Sequence, residues 1–136
     1  MKRLLILSAS IFIMLILSSC IEESDPFDLP DDRDVFLGIW DVSESCSKDF
    51  YSVEIIKDPS NSAQVIIKNF GNTGSCSNPP YGIVAGSSLF VPTQSICSDL
   101  FEVNGDGTLN KNKITWQFTI NDGADLYTCS ATYTKQ

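Results

Sequence analysis

The sequence predicts an all-β domain, an antiparallel up-and-down meander of about eight short strands, on three observations. Apolar and polar side chains alternate with period two in at least five segments. Tight-turn residues separate those segments at short intervals, as in Asp58-Pro59-Ser60-Asn61, Gly86-Ser87-Ser88 and Asn121-Asp122-Gly123. No stretch after residue 19 holds a helical period over a window of about 11 residues. An open sheet of eight strands would leave two unpaired edges and one wet apolar face. Closure into a small barrel is therefore expected, with a two-sheet sandwich as the alternative.

The strands are expected in this order. Residues 35–46 form the first, with Trp40, Val42, Glu44 and Cys46 on one face. Residues 50–57 set Tyr51, Val53 and Ile55 against Ser52, Glu54 and Ile56, and residues 63–70 follow the Asp58 turn. A loop of Gly, Ser, Asn and Pro covers residues 72–80. Two short strands, 81–85 and 89–91, flank the Gly86 turn. Residues 96–109 read as strand interrupted at Asn104-Gly105-Asp106-Gly107, where a bulge or tight turn is expected. Residues 113–120 give the clearest alternation, Ile114, Trp116, Phe118 and Ile120 against Thr115, Gln117 and Thr119. The last strand, 125–134, puts Tyr127, Cys129, Ala131 and Tyr133 on one face.

Four cysteines lie in this domain, Cys46, Cys76, Cys97 and Cys129, and the chain has no histidine. No two have C-x₂₋₄-C spacing, so a disulfide framework is expected rather than a zinc site. Closure makes the first and last strands neighbours, and strand phase points Cys46 and Cys129 inward near the same end. That favours Cys46–Cys129 and leaves Cys76–Cys97 to tie two loops at the rim. Cys46–Cys76, at the same end, is the competing pair.

The chain ahead of the domain is an address. Lys2 and Arg3 precede 14 residues of apolar character (4–17), too short to span a bilayer, which takes about 20. Leu17-Ser18-Ser19-Cys20 resembles the lipobox of bacterial lipoproteins. The resemblance implies cleavage after residue 19, a diacylglyceryl group on the Cys20 thiol, and an acyl chain such as palmitate on the new amino terminus. An ordinary secretory signal, with Cys20 in a disulfide, is the alternative. Two or three lipid chains anchor stably at ~0.8 kcal/mol per buried CH₂. Without the signal the chain carries 7 basic and 17 acidic side chains. Residues 20–34 hold seven of those acids against Arg33, with Pro26 and Pro30, and are expected to be a solvated, self-repelling tether. The domain is then residues 35–136. The acids after Cys20 (Ile21-Glu22-Glu23-Ser24-Asp25) resemble the surface-export signal of Bacteroidetes lipoproteins.

Gly38-Ile39-Trp40 near the first strand resembles the G-x-W signature of lipocalins. In that family the tryptophan closes one end of the barrel and packs under an arginine near the last strand. No arginine follows residue 34 here, and Lys135 sits near the matching place. Together with Asn69-Phe70-Gly71-Asn72-Thr73-Gly74, Val91-Pro92-Thr93-Gln94 and the closing segment 125–135, the domain resembles small lipocalin-like lipoproteins of Bacteroidetes. This implies a small lipocalin-like barrel on a lipid anchor in the bacterial outer membrane, and supplies no activity.

Enzymatic chemistry finds little purchase. Without histidine there is no Ser-His-Asp or Cys-His arrangement, and the serines lack a G-x-S-x-G context. Glu44, Glu54, Asp99 and Glu102 are the strand-borne acids from which a carboxylate pair would have to come. Asn104-Gly105-Asp106-Gly107 lacks the spacing and distal glutamate of a calcium loop. The acidic balance disfavours nucleic acid, which is held by Lys and Arg. We therefore expect no catalytic residue, cofactor or metal. The favoured expectation is a binding module for a small apolar or sugar-like ligand, with Tyr81, Phe90, Phe101, Trp116 and Tyr127 as aromatic surface. The alternative is a filled barrel that binds a partner protein. A cavity above ~300 Å³ with a wide mouth separates the two.

Overall fold

The computed structural model describes residues 30–47 and 49–136. Eight antiparallel strands close into a small lipocalin-like barrel in sequential order: β1 (Gly38–Glu44), β2 (Tyr51–Lys57), β3 (Gln64–Lys68), β4 (Tyr81–Ala85), β5 (Ser88–Ile96), β6 (Phe101–Asn110), β7 (Lys113–Asn121) and β8 (Leu126–Lys135). The seam is β1 on β8, where Trp40 opposes Lys135 and Glu44 opposes Ala131. Closure removes both sheet edges. The only helical turns among the described residues are short 3-10 segments, Asp32–Val35 and Phe70–Asn72.

Strand direction alternates, so the loops sort to two ends. The β1–β2, β3–β4, β5–β6 and β7–β8 connections meet at one end, and the remaining connections and both flanks of the barrel meet at the other. The second end is closed. Phe36 and Trp40 are fully buried there, and Trp40 Nε1 donates to the Phe36 carbonyl at 2.8 Å. Lys135 Nζ lies 5.3 Å from the Trp40 ring centre and donates to the Val35 carbonyl. The basic residue over the tryptophan is thus a lysine.

Residues 31–34 belong to the barrel and not to a tether. Asp31 caps the first 3-10 turn by accepting from the Arg33 backbone N–H, and its carboxylate takes the Arg33 guanidinium at 2.7 Å and the Lys57 ammonium at 2.9 Å. Arg33 also donates to the Asn61 and Gln64 carbonyls, locking the turn onto the β2–β3 loop. Composition alone does not reveal that this one arginine has acceptors waiting for it.

No turn interrupts β6 at Asn104-Gly105-Asp106-Gly107, although the register shift of the β5–β6 ladder does fall opposite Asn104. β6 runs through this segment in unbroken register with β7, Gly105 opposite Phe118 and Gly107 opposite Trp116. The glycines serve the interior: a Cβ on Gly107 would lie 2.8–2.9 Å from three atoms of the Trp116 ring, and one on Gly105 would lie 2.6 Å from Phe118 Cβ. Gly107 makes room for the Trp116 ring, and Gly105 for the close approach of the β7 backbone at Phe118. The break between β5 and β6 falls instead after Ile96, where Cys97, Ser98 and Asp99 all take positive φ. β5 is accordingly longer than residues 89–91. Its register with β6 shifts between Val91 and Gln94, at Pro92, which has no N–H to give the ladder. Gln94 repairs the β4 side, its amide accepting from Tyr81 N at 3.1 Å and donating to Tyr81 O at 2.9 Å.

Alternate residues of every strand fill the interior. Trp40, Phe70, Trp116, Phe118 and Tyr133 are buried, with Phe70 set 5.5 Å from Trp116 and 5.1 Å from Phe118, and Trp116 5.6 Å from Tyr133. Two disulfides tie the loop end: Cys46–Cys129 with Cα atoms 5.4 Å apart, and Cys76–Cys97 at 4.7 Å. Strand phase and closure pair these cysteines as expected, and Cys46–Cys76 is not formed.

Candidate functional site

The five aromatic residues considered as ligand surface do not converge. Trp116 is fully buried in the barrel, packed against Phe70 and Tyr133. Phe90 is on the opposite phase of its strand, 46 % exposed on the outer wall beside its cross-strand partner Ile83. Tyr81 is half-buried and held through its backbone by Gln94. Phe101 and Tyr127 do come together, at the loop end. Tyr127 keeps the inward phase of Cys129 and Tyr133 but lies beyond the packed layer, so it is 44 % exposed.

Phe101 and Tyr127 flank a recess of about 230 Å³ at that end, which also takes in Glu44, Gly71, Asn72 and Asp122. The Cys46–Cys129 bridge forms part of its wall. Ile120, almost fully buried, also lines it. A larger recess of about 650 Å³ lies elsewhere, at the closed end beside residues 30–33 and the β2–β3 loop. Its one cation, Arg33, is already committed to Asp31 and backbone carbonyls.

Two carboxylates set the character of the loop-end recess. Glu44 Oε2 accepts from the Tyr51 hydroxyl at 2.5 Å. Burial, the neighbouring Tyr133 and that carboxylate all raise the Tyr51 pKa, so its proton stays on the phenol. Tyr133, deeper in the barrel, is raised by burial and then by the Glu44 charge, with the nearby Tyr51 hydroxyl pulling slightly the other way. Its hydroxyl nevertheless lacks a hydrogen bond of proper geometry among the described residues, as does Trp116 Nε1. Asp122 accepts from the backbone N–H groups of Ala124 and Asp125, and these bonds lower its pKa. It therefore holds its charge at neutral pH, and with Asp125 raises the Tyr127 pKa.

The strand-borne acids are dispersed, with Glu44 lining the recess and the other three outside it. Glu54 bridges to Lys68 at 2.7 Å on the outer wall, and Asp99 and Glu102 line a shallow hollow outside the recess. Among the described residues no three His, Cys, Asp or Glu side chains gather as metal ligands. Cys20 and the rest of residues 1–29 lie outside the described residues. Reasoning from the sequence did not single out Asp122. Its turn was legible, but its place beside Phe101 and Tyr127 depends on the register of β6, β7 and β8. No family model matches this chain, and no match was found among curated proteins or among solved structures.

Proposed function

We propose that this protein is a lipid-anchored lipoprotein of the bacterial outer membrane whose barrel is a non-enzymatic module that meets a partner protein through its outer surface and loop end. The observation that supports this over an interior ligand carrier is the filled barrel: Trp40, Phe70, Trp116, Phe118 and Tyr133 occupy the space where a lipocalin-type ligand would lie. The loop-end recess, about 230 Å³, falls below the size of an ordinary small-molecule pocket. The anchor rests on Lys2, Arg3, the apolar run and Leu17-Ser18-Ser19-Cys20. Intact-mass analysis of membrane-extracted protein tests it. A diacylglyceryl-cysteine terminus at Cys20 is expected, and a soluble product with a free Cys20 thiol would refute it.

A second reading, a small sugar-like ligand at the loop end, draws on Phe101 and Tyr127 flanking the recess beside two carboxylates. Saturable binding of an oligosaccharide, abolished by Tyr127→Ala, would favour it.

A further inference from the structure

The two ends of the barrel differ in charge and in apolar exposure. Arg33, Lys57, Lys111, Lys113 and Lys135 all lie at the closed end, where Asp31, Asp32, Asp34 and Asp58 nearly balance them. Glu44, Asp49, Asp99, Glu102, Asp122 and Asp125 all lie at the loop end, six of the ten acids that follow residue 34. One further lysine, Lys48, falls by sequence in the β1–β2 loop and lies outside the described residues. Lys68, the other cation toward this end, is bridged to Glu54. The three most exposed large apolar side chains of the described residues also stand at the loop end: Phe50 at 88 %, Leu126 at 67 % and Leu100 at 65 %. The recess and the neighbouring hollow share Phe101 and Asp122, so apolar and acidic groups form one continuous surface there. Solitary exposed apolar residues need no explanation, whereas a cluster rimmed by one sign of charge marks an interaction site.

The anchor adds a direction. The chain enters the barrel at the closed end, before β1. Residues 20–30 span at most ~40 Å when fully extended. An anchor at Cys20 therefore attaches through the closed end, the end opposite the acidic loops.

We propose that the loop end is the docking surface for a basic segment of a partner protein, one whose apolar side chains cover Leu100, Leu126 and Tyr127 while a lysine or arginine enters the recess between Glu44 and Asp122. The partner's chemistry follows from complementarity. Two carboxylates would leave a neutral apolar partner to bury charge unpaired, and would repel an acidic one. Phe101 and Tyr127 line the same recess and add aromatic surface for a cation there. This proposal rests on the partner-binding reading above and specifies its surface.

The test uses the lipidated protein in phosphatidylcholine nanodiscs, with empty nanodiscs as control, titrated with two fluorescently labelled peptides. One alternates leucine with lysine and arginine, and the other alternates leucine with glutamate. The basic peptide should bind at least tenfold more tightly, and its affinity should fall at least tenfold in the Glu44→Gln, Asp122→Asn double variant. Both replacements keep an acceptor for Tyr51 and for the Ala124 and Asp125 N–H groups, so the fold is retained. Leu126→Ser, at an exposed position, should weaken binding severalfold by a route independent of charge. Carbodiimide cross-linking should join the peptide's lysine to Glu44, Asp122 or Glu102. Equal affinity for the two peptides, indifference to the double variant, or cross-links to Asp31 or Asp34 at the closed end would overturn the proposal. So would concentration-dependent self-association that displaces the basic peptide, since the occupant would then be a second copy of this chain. Failure of the proposal differs from failure of the underlying reading: an apolar probe found inside the barrel defeats that reading, whereas loss of basic-peptide binding with the interior still inaccessible defeats only this surface assignment.

Discussion

Gly107→Ala puts the filled barrel under direct strain. The new Cβ would sit 2.8–2.9 Å from three atoms of the Trp116 ring, against 3.4 Å or more in ordinary contact, so something must move by about 0.6 Å. The ring is rigid and fully buried, with Phe70 on one side and Tyr133 on another, so it has little room to retreat. Overpacking of this kind costs ~1–3 kcal/mol, offset by ~0.4–1 kcal/mol because alanine restricts the unfolded chain. A net loss of ~1–2 kcal/mol lowers the melting temperature of a domain this size by ~4–15 °C. Circular dichroism during thermal and urea unfolding measures it. Trp116→Phe should relieve the clash, so the double variant should lose less than the sum of the two single losses, by ~0.5 kcal/mol or more. An unchanged midpoint in Gly107→Ala, or strict additivity in the double variant, would refute the view that Gly107 exists to admit the Trp116 ring.

Three further outcomes are expected. Replacing Cys46 and Cys129 together by serine should cost ~4–5 kcal/mol, and replacing Cys76 and Cys97 ~3 kcal/mol, because the bridges close loops of 83 and 21 residues; denaturant midpoints give the ranking, and a larger loss from the second pair would contradict it. Asp31, lowered by Arg33 first and Lys57 second, contributes stability that is present above the unfolded carboxylate pKa of ~4 and is lost as pH falls through its depressed native value. Asp31→Asn should therefore flatten the acid limb of a stability–pH profile below about pH 4, and an unchanged limb would count against the Asp31 network. Tyr133→Phe removes a buried hydroxyl without a partner and should be neutral or stabilising by up to ~1 kcal/mol, whereas Tyr51→Phe breaks the bond to Glu44 and should cost ~1–2 kcal/mol; the reverse order in chemical denaturation would show that Tyr133 is paired in solution.

The fold was legible because period-two alternation and closure leave few arrangements. β7 could be read residue by residue, and the inward phases of Cys46 and Cys129 gave their pairing once the seam was accepted. Asn104-Gly105-Asp106-Gly107 misled because glycine and asparagine favour turns locally, while the reason for these glycines lies on the next strand, in Trp116 and Phe118. Arg33 misled for a similar cause: in a run of acids it reads as solvated, yet its acceptors are carbonyls some 30 residues away in sequence. The aromatic set was only partly legible. Strand phase says which side a ring faces but not its depth along the barrel, so Trp116 in the core and Tyr127 at the rim look alike in sequence. The recess itself was not legible, since Glu44, Phe101, Asp122 and Tyr127 meet only across three loop-end connections.

The central claim, that this barrel has a filled interior and works from its loop end, is tested most directly by titrating the full Cys20→Ser chain with an apolar naphthylamine fluorophore. The filled barrel predicts no saturable one-to-one uptake and no change in the emission of the two buried tryptophans, Trp40 and Trp116. Saturable binding at one probe per chain, with tryptophan emission quenched in proportion, would contradict it.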